Sequence, residues 1–296
     1  MKKPLLISLV CLVASGALLI WGFQAPAAPA LPKEVQVALL VESDTGSFLM
    51  QLRKGMQEAA AGQGARLTVE KLLPDPGSQA RALAGRGISA ALLLLEEPQP
   101  MLAALGEAGL PALVIGQIVP GQLCVTGDDG ACGEALLARA LALAGPSRVL
   151  WLTQDADARG KARTAGAKAL LRQRGVASLP WPQEVQTLAS FDVLVAPTEA
   201  VTQKLGALKR DGFLTEDVAI VGMDTGDTRV GDLEEGRIQV MAMDSPYAMG
   251  YIALGLVPGL MSGELPPSVH TSGFTLVDPR NMYLAENVKL VFPLLQ

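Results

Sequence analysis

"VQVALLVESDTGSFLMQLRKGMQEAAAGQG" (Val35–Gly64) holds two textures joined by one polar turn. Val35 to Val41 is a nearly continuous apolar run, as expected of a strand covered on both faces. Glu42-Ser43-Asp44-Thr45 then interrupts it. From Ser47 to Ala61 the apolar residues recur at helical spacing, with Phe48, Leu52, Met56 and Ala59 or Ala60 on one stripe. A fully apolar strand feeding an amphipathic helix is the first half of a βαβ unit, and it predicts a parallel sheet.

The same alternation continues outward. "ARLTVEKL" reads as a strand, Gly77 to Gly87 as a polar helix and "ISAALLLL" as a strand. A short helix around Met101 to Glu107 leads into "PALVI" and then "QLCVT". After Asp128-Asp129 the pattern restarts, with a helix over Gly130–Ala144 and a strand over Ser147–Thr153. A helix over Arg159–Arg174, the strand "FDVLVA", a helix over Thr198–Lys209 and the strand "DVAIVGM" follow. A helix around Thr228–Glu235 and the strand "RIQVMAM" complete this second unit. Pro246 to Met261 reads as one further helix, and "HTSGFTLV" and "NVKLVF" as closing strands. The expected fold class is therefore α/β, with two doubly wound parallel-sheet lobes.

Composition narrows the function classes. The chain has 296 residues with 24 Lys and Arg against 29 Asp and Glu, and no basic stripe, which argues against a nucleic-acid partner. Met1-Lys2-Lys3, the apolar run Leu5–Phe23 and the small residues Ala25 to Ala30 predict an export segment within residues 1–30. A cleaved signal peptide is one reading. As a helix rising ~1.5 Å per residue, the same run comes close to crossing a ~30 Å hydrocarbon core, so an uncleaved inner-membrane anchor is the other. Cys11 sits too early to be a lipidated cysteine. Either way the body is expected in the periplasm, touching membrane only through this segment. Export would permit a disulfide between Cys124 and Cys132 in "CVTGDDGAC"; the alternative is two small buried side chains.

No catalytic constellation is expected. His270 is the single histidine, and no nucleophile elbow, HExxH or phosphate-binding loop occurs. No metal or cofactor site is expected either. Arg159-Gly160-Lys161-Ala162-Arg163 lacks phosphate-loop glycine spacing and sits where a helix with solvated charges is expected. In parallel sheets ligands lie beyond the carboxyl ends of the strands, so the polar residues there are the candidates for binding. They include Glu42 to Thr45, Gly116-Gln117, Asp128-Asp129, Thr198 and, in "AIVGMDTGD", Asp224, with Asp244 after the last parallel strand. Any one of the Asp, Ser and Thr residues could instead start a helix as its N-cap.

Four segments together resemble the type I periplasmic binding proteins of the ribose-binding kind, relatives of the sensor cores of LacI-type repressors. They are "VALLVESDTGSFLMQLRKGMQEAAAGQG", "VTGDDGACGEALLARAL", "VAIVGMDTGD" and "IQVMAMDSPYAMGYIAL". The resemblance runs from about Val35 to Val291. It implies two lobes on a three-segment hinge, with crossings near Asp129, Asp244 and Gly273. One lobe would comprise residues 31–129 and 245–272, the other 130–244 and 273–296. A small polar, sugar-like ligand would be enclosed by lobe closure and handed to an ABC transporter. The alternative is a sensing module that signals to a membrane sensor such as a histidine kinase.

The resemblance implies ligand contacts at Thr45, Phe48, Lys161 or Arg163, Trp181, Asp224 and Asp244, and the strand ends add Asp44, Gln117, Asp128 and Thr198 as candidates. The carboxylates and amides would take sugar hydroxyls, and Phe48 and Trp181 would cover C–H faces. The chain also departs from the family. Gly116-Gln117 stands where Asp-Arg is common, Pro197 where Asn is common, and Leu49 where a second aromatic is expected. The segment between Trp181 and Phe191 is short for the usual helix. The scaffold is kept and the specificity changed.

Overall fold

The computed structural model describes residues 35–43, 46–144, 148–153, 158–224 and 230–292. The segment 1–30, Asp44 and Thr45 lie outside the described residues. Two six-stranded sheets account for the strands.

The first sheet is built from β1 (Val35–Val41), β2 (Ala65–Lys71), β3 (Ala90–Leu94), β4 (Ala112–Ile115), β5 (Cys124–Gly127) and β11 (Val269–Ser272). Its order is β11-β5-β4-β3-β1-β2, with every pair parallel. On one face lie α1 (Ser47–Gln63), α8 (Pro246–Gly255) and α9 (Val257–Ser262), where Leu52, Met56, Met249 and Leu254 meet β1 and β3. On the other lie α2 (Pro76–Gly85) and α3 (Gln99–Glu107), through Leu83, Met101 and Leu105. The apolar run Val35–Val41 is spent on both faces: Val37, Leu39 and Val41 face α1, and Ala38 and Leu40 face α2 and α3.

The second sheet repeats this plan. It contains β6 (Val149–Thr153), β7 (Ala177–Pro180), β8 (Val193–Val195), β9 (Ala219–Asp224), β10 (Val240–Asp244) and β12 (Phe274–Val277). The order is β12-β10-β9-β8-β6-β7, parallel except for the antiparallel β10–β12 pair. α4 (Asp129–Ala144) and α5 (Ala158–Arg174) cover one face; α6 (Glu199–Arg210), α7 (Val230–Glu234) and α10 (Ala285–Val291) cover the other. The chain passes between the lobes three times: from β5 into α4, from β10 into α8, and at Gly273 between β11 and β12.

Three readings of the sequence change, and one strand was missed. "HTSGFTLV" is two strands, one in each sheet, because Gly273 is itself a crossing. Pro246–Met261 is two helices broken at Leu256, since Pro258 removes a donor and crowds the carbonyl one turn earlier. "NVKLVF" belongs to α10, not to a strand; Asn287 and Val291, one turn apart, are its buried side chains. β7 escapes sequence reasoning because it is an exposed edge strand ending in Pro180, without the apolar run of its neighbours.

Cys124 and Cys132 are free and buried in different places, which removes the disulfide. Cys124 packs with Val114 and Val119 in the first lobe, and Cys132 with Leu136 and Met223 in the second. Burial pushes the Cys132 thiol up to about 12, so it stays neutral.

One buried charge pins α7. Asp232 is 3% exposed, accepts from Arg210 Nη1 at 2.7 and 2.8 Å and from Arg237 Nε at 2.6 Å. Burial raises its pKa, but the hydrogen bonds from Arg210 and Arg237 more than reverse this and leave it below the ordinary value. A depressed carboxyl stabilises the fold above its unfolded-state pKa of about 3.9, and that stability is lost as pH falls through the lower folded value. Asp232→Asn is therefore expected to flatten the acid limb of the stability–pH curve. Urea midpoints measured between pH 6 and 2 check this; an unchanged slope would count against it.

Candidate functional site

Both sheets reverse strand order beside their first strand, at β1/β3 and at β6/β8. Loops leaving such neighbours part in opposite directions and open a crevice at the carboxyl ends. In the first lobe, Glu42 follows β1 and Glu96 follows β3, and Glu96 N–H donates to Glu42 Oε1 at 2.8 Å. Gly116 has φ 88°, a left-handed turn that glycine accommodates after β4. It turns the chain so that Gln117 Nε2 donates to Leu95 O at 2.5 Å and Glu96 O at 3.0 Å. These residues, with Ser43, Phe48, Leu49 and Leu94, line a cleft of about 660 Å³. Its wall from the second lobe includes Ala158 and Arg159.

Arg159 belongs to a cluster that follows from helix packing. Gly133 and Gly166 let α4 and α5 touch backbone to backbone. A Cβ at Gly133 would fall 1.9 Å from Arg163 O, and one at Gly166 2.1 Å from Gly130 O. This contact lays the first turns of α5 over the start of α4. Arg159 and Arg163, one turn apart, share a face of α5. Both reach Asp129, the first residue of α4, and Asp244, the last of β10. Arg159 grips Asp129 side-on, with Nε 3.0 Å from Oδ2 and Nη2 2.9 Å from Oδ1, while Nη2 also lies 2.6 Å from Asp244 Oδ2. Arg163 Nη2 lies 2.8 Å from Asp129 Oδ1 and 3.5 Å from Asp244 Oδ2, and its Nη1 donates to Pro197 O at 2.8 Å.

Asp244 and Arg163 are 1% and 3% exposed; Arg159 keeps 19% of its side chain open. Burial acts to lower the Arg159 pKa, but the Asp244 and Asp129 carboxylates more than offset it, so the guanidinium is held firmly charged. Two arginines and two aspartates balance to zero. From the first lobe, Gly127 ends β5 against this cluster: a Cβ there would stand 2.3 Å from Arg159 Nη2 and 3.0 Å from Asp244 Oδ1.

The residues expected at the site divide accordingly. Phe48 and Gln117 line the cleft. Asp224 is 1% exposed at the end of β9, beside Met243. The glycine before it is explained locally. A Cβ at Gly222 would be 2.6 Å from Thr202 Oγ1, the hydroxyl that accepts the Met223 N–H at 2.9 Å. Asp128 caps α4, with Oδ1 taking the Ala131 N–H at 3.1 Å. Thr198 caps α6, with Oγ1 taking the Val201 N–H at 3.3 Å. Both start helices, as such residues favour. Lys161 is exposed and lines a separate groove of about 640 Å³ along α5, β6 and β7. Trp181 is half-buried against the second core, with Lys204 Nζ 5.3 Å from its ring centre. Arg163 and Asp244 are engaged by the ion cluster described above.

Arg159 is the site residue that sequence reasoning missed, because the charges of Arg159–Arg163 were expected to face solvent; Asp129 was named as a strand-end candidate, but not as the partner of two arginines. The available signal was two arginines one turn apart beside a double aspartate at a crossing. Among the described residues no group of three His, Cys, Asp or Glu could hold a metal ion, and no helix is long and apolar enough to cross a membrane.

No protein-family model matches the chain, and no curated protein does. Solved structures match it closely in shape. An ABC transporter solute-binding protein from Agrobacterium vitis, bound with α-D-tagatopyranose, is 18% identical, with a TM-score of 0.71 over 87% of this chain and 99% of that one. A glucose-galactose binding protein from Geobacillus stearothermophilus is 16% identical, with a TM-score of 0.70 over 86% and 100%. A XylFII–LytSN complex is 13% identical, with a TM-score of 0.67 over 84% and 99%. Two α/β lobes, repeated strand order and three crossings thus give this chain the fold of the type I periplasmic sugar-binding proteins.

Proposed function

We propose that this chain is an extracytoplasmic solute-binding protein that closes its two lobes on a small, sugar-like polar ligand and delivers it to an ABC transporter. The lobes are taken as residues 31–129 with 245–272, and 130–244 with 273–296. The observation that carries the reading is the cleft itself, about 660 Å³ at a strand-order switch and walled by residues of both lobes. Phe48 and Gln117, which line the cleft, are the proposed ligand contacts, with Asp44 and Thr45. A ligand touching both lobes favours the closed state because it binds that state better. No catalytic role is assigned to any of these residues.

A second reading, a ligand-sensing module that signals to a membrane sensor, is supported by the XylFII–LytSN neighbour and by the apolar run Leu5–Phe23. N-terminal sequencing of the protein in its membrane fraction separates the two: retained Met1 favours the sensor, a new terminus near Ala30 the transporter partner.

Thermal melts with D-ribose, D-galactose, D-tagatose, xylitol, galacturonate and putrescine test ligand binding. A compound at one hundred times its Kd adds about 2.7 kcal/mol to the native state, a rise of several degrees in Tm. A chain whose melting none of these compounds moves would overturn the receptor reading.

A further inference from the structure

Resting on that receptor reading of the cleft, we infer that Arg159 is an internal occupant of the hinge end of the cleft, and that it determines specificity by denying neutral sugars the Asp244 carboxylate. Asp244 ends β10, the last parallel strand of the second sheet, at the second crossing, where a carboxylate with free lone pairs would accept ligand hydroxyls. Instead it is 1% exposed, and Arg159 Nη2 sits 2.6 Å from its Oδ2. Arg159 itself lines the cleft and keeps 19% of its side chain open. Where a carboxylate would meet the ligand, the chain presents an arginine already committed to two aspartates. A sugar-like ligand of this chain is consequently held without Asp244.

The arrangement is specific to Arg159 and not to its neighbour. Arg163 is 3% exposed, and its second nitrogen is tied to Pro197 O, so it braces the cluster from behind. Gly127 completes the seat, since any side chain there would push the Arg159 guanidinium away.

Removing Arg159 alone leaves an uncompensated buried negative charge, so the decisive variants keep the balance. Arg159→Ala/Asp129→Asn retains Asp244 with Arg163; Arg159→Ala/Asp244→Asn retains Asp129 with Arg163. Titration calorimetry of the full chain with D-ribose, D-xylose, D-galactose and D-glucose reads the effect. Arg159→Ala/Asp129→Asn is expected to bind at least one of these sugars tenfold or more tightly than wild type, and Arg159→Ala/Asp244→Asn is not. Gly127→Ala reaches the same end with every charge retained, because its methyl would displace the guanidinium, and it too should gain affinity. The inference is overturned if the folded variants stay within threefold of wild type for all four sugars. It is equally overturned if wild type binds one of them and Arg159→Ala/Asp129→Asn loses it. The receptor reading falls on a different result, an unmoved wild-type melt across the whole ligand panel.

Discussion

Gly55→Ala is expected to lower the unfolding free energy by about 3 kcal/mol, at the upper end of what overpacking costs. The added Cβ would stand 2.0 Å from Tyr247 O, 2.8 Å from Tyr247 C and 3.0 Å from Tyr251 N, all backbone atoms of α8. No rotamer change can relieve such a contact, so the two helices must separate. Gly250 makes the reciprocal contact, its Cβ position lying 2.1 Å from Leu52 O of α1. The separation would loosen Leu52, Met56, Met249 and Leu254 in the first-lobe core, and the loss of packing between them adds to the steric cost. Gly62 is the control, in the same helix and with nothing within 4 Å of where a Cβ would stand. Alanine there should stabilise by about 0.5–1 kcal/mol, through the smaller entropy loss of a residue with a side chain. Once Gly55→Ala has parted the helices, Gly250→Ala should cost less than it does alone. Urea unfolding of the three single variants and the double variant measures all of this. Equal effects at Gly55 and Gly62 would refute the backbone-contact account.

The sheets were legible because β1, β3, β6 and β9 carry apolar runs that only a two-faced burial explains, and the helices between them carry stripes. β7 and α10 were not, since an exposed edge strand has no run and a short helix shows too little periodicity to outweigh its β-branched residues. The cleft was legible as a place, because strand ends in a parallel sheet define it. Its chemistry was less so. Asp128 and Thr198 read equally as caps or contacts, and only their hydrogen bonds to Ala131 and Val201 decide for the cap. The ion cluster was hidden for a different reason. It joins residues 129, 159, 163 and 244 through the close approach of α4 and α5, and sequence spacing carries no record of that approach.

Asp129→Ala should cost about 3–5 kcal/mol, the penalty for removing one partner of a buried ion pair. The variant leaves Arg159 and Arg163 facing each other with Asp244 alone to balance them. Water can reach Arg159, which keeps 19% of its side chain open, but not the rest of the cluster: Arg163 is 3% and Asp244 1% exposed. The cost measures stranded charge and not the net contribution of the pairs, because desolvating all four groups already offsets much of their attraction. Arg159→Ala added to Asp129→Ala should accordingly recover a large part of the loss, since charge balance returns. A double-mutant cycle from urea midpoints would show this as a coupling energy of about 1–3 kcal/mol between positions 159 and 129. High salt should change it little, because buried pairs are weakly screened. If Asp129→Ala costs under about 1 kcal/mol, as exposed pairs do, the cluster is open to solvent. Arg159 could not then be held over Asp244, and both the cluster and the specificity argued from it would fail together.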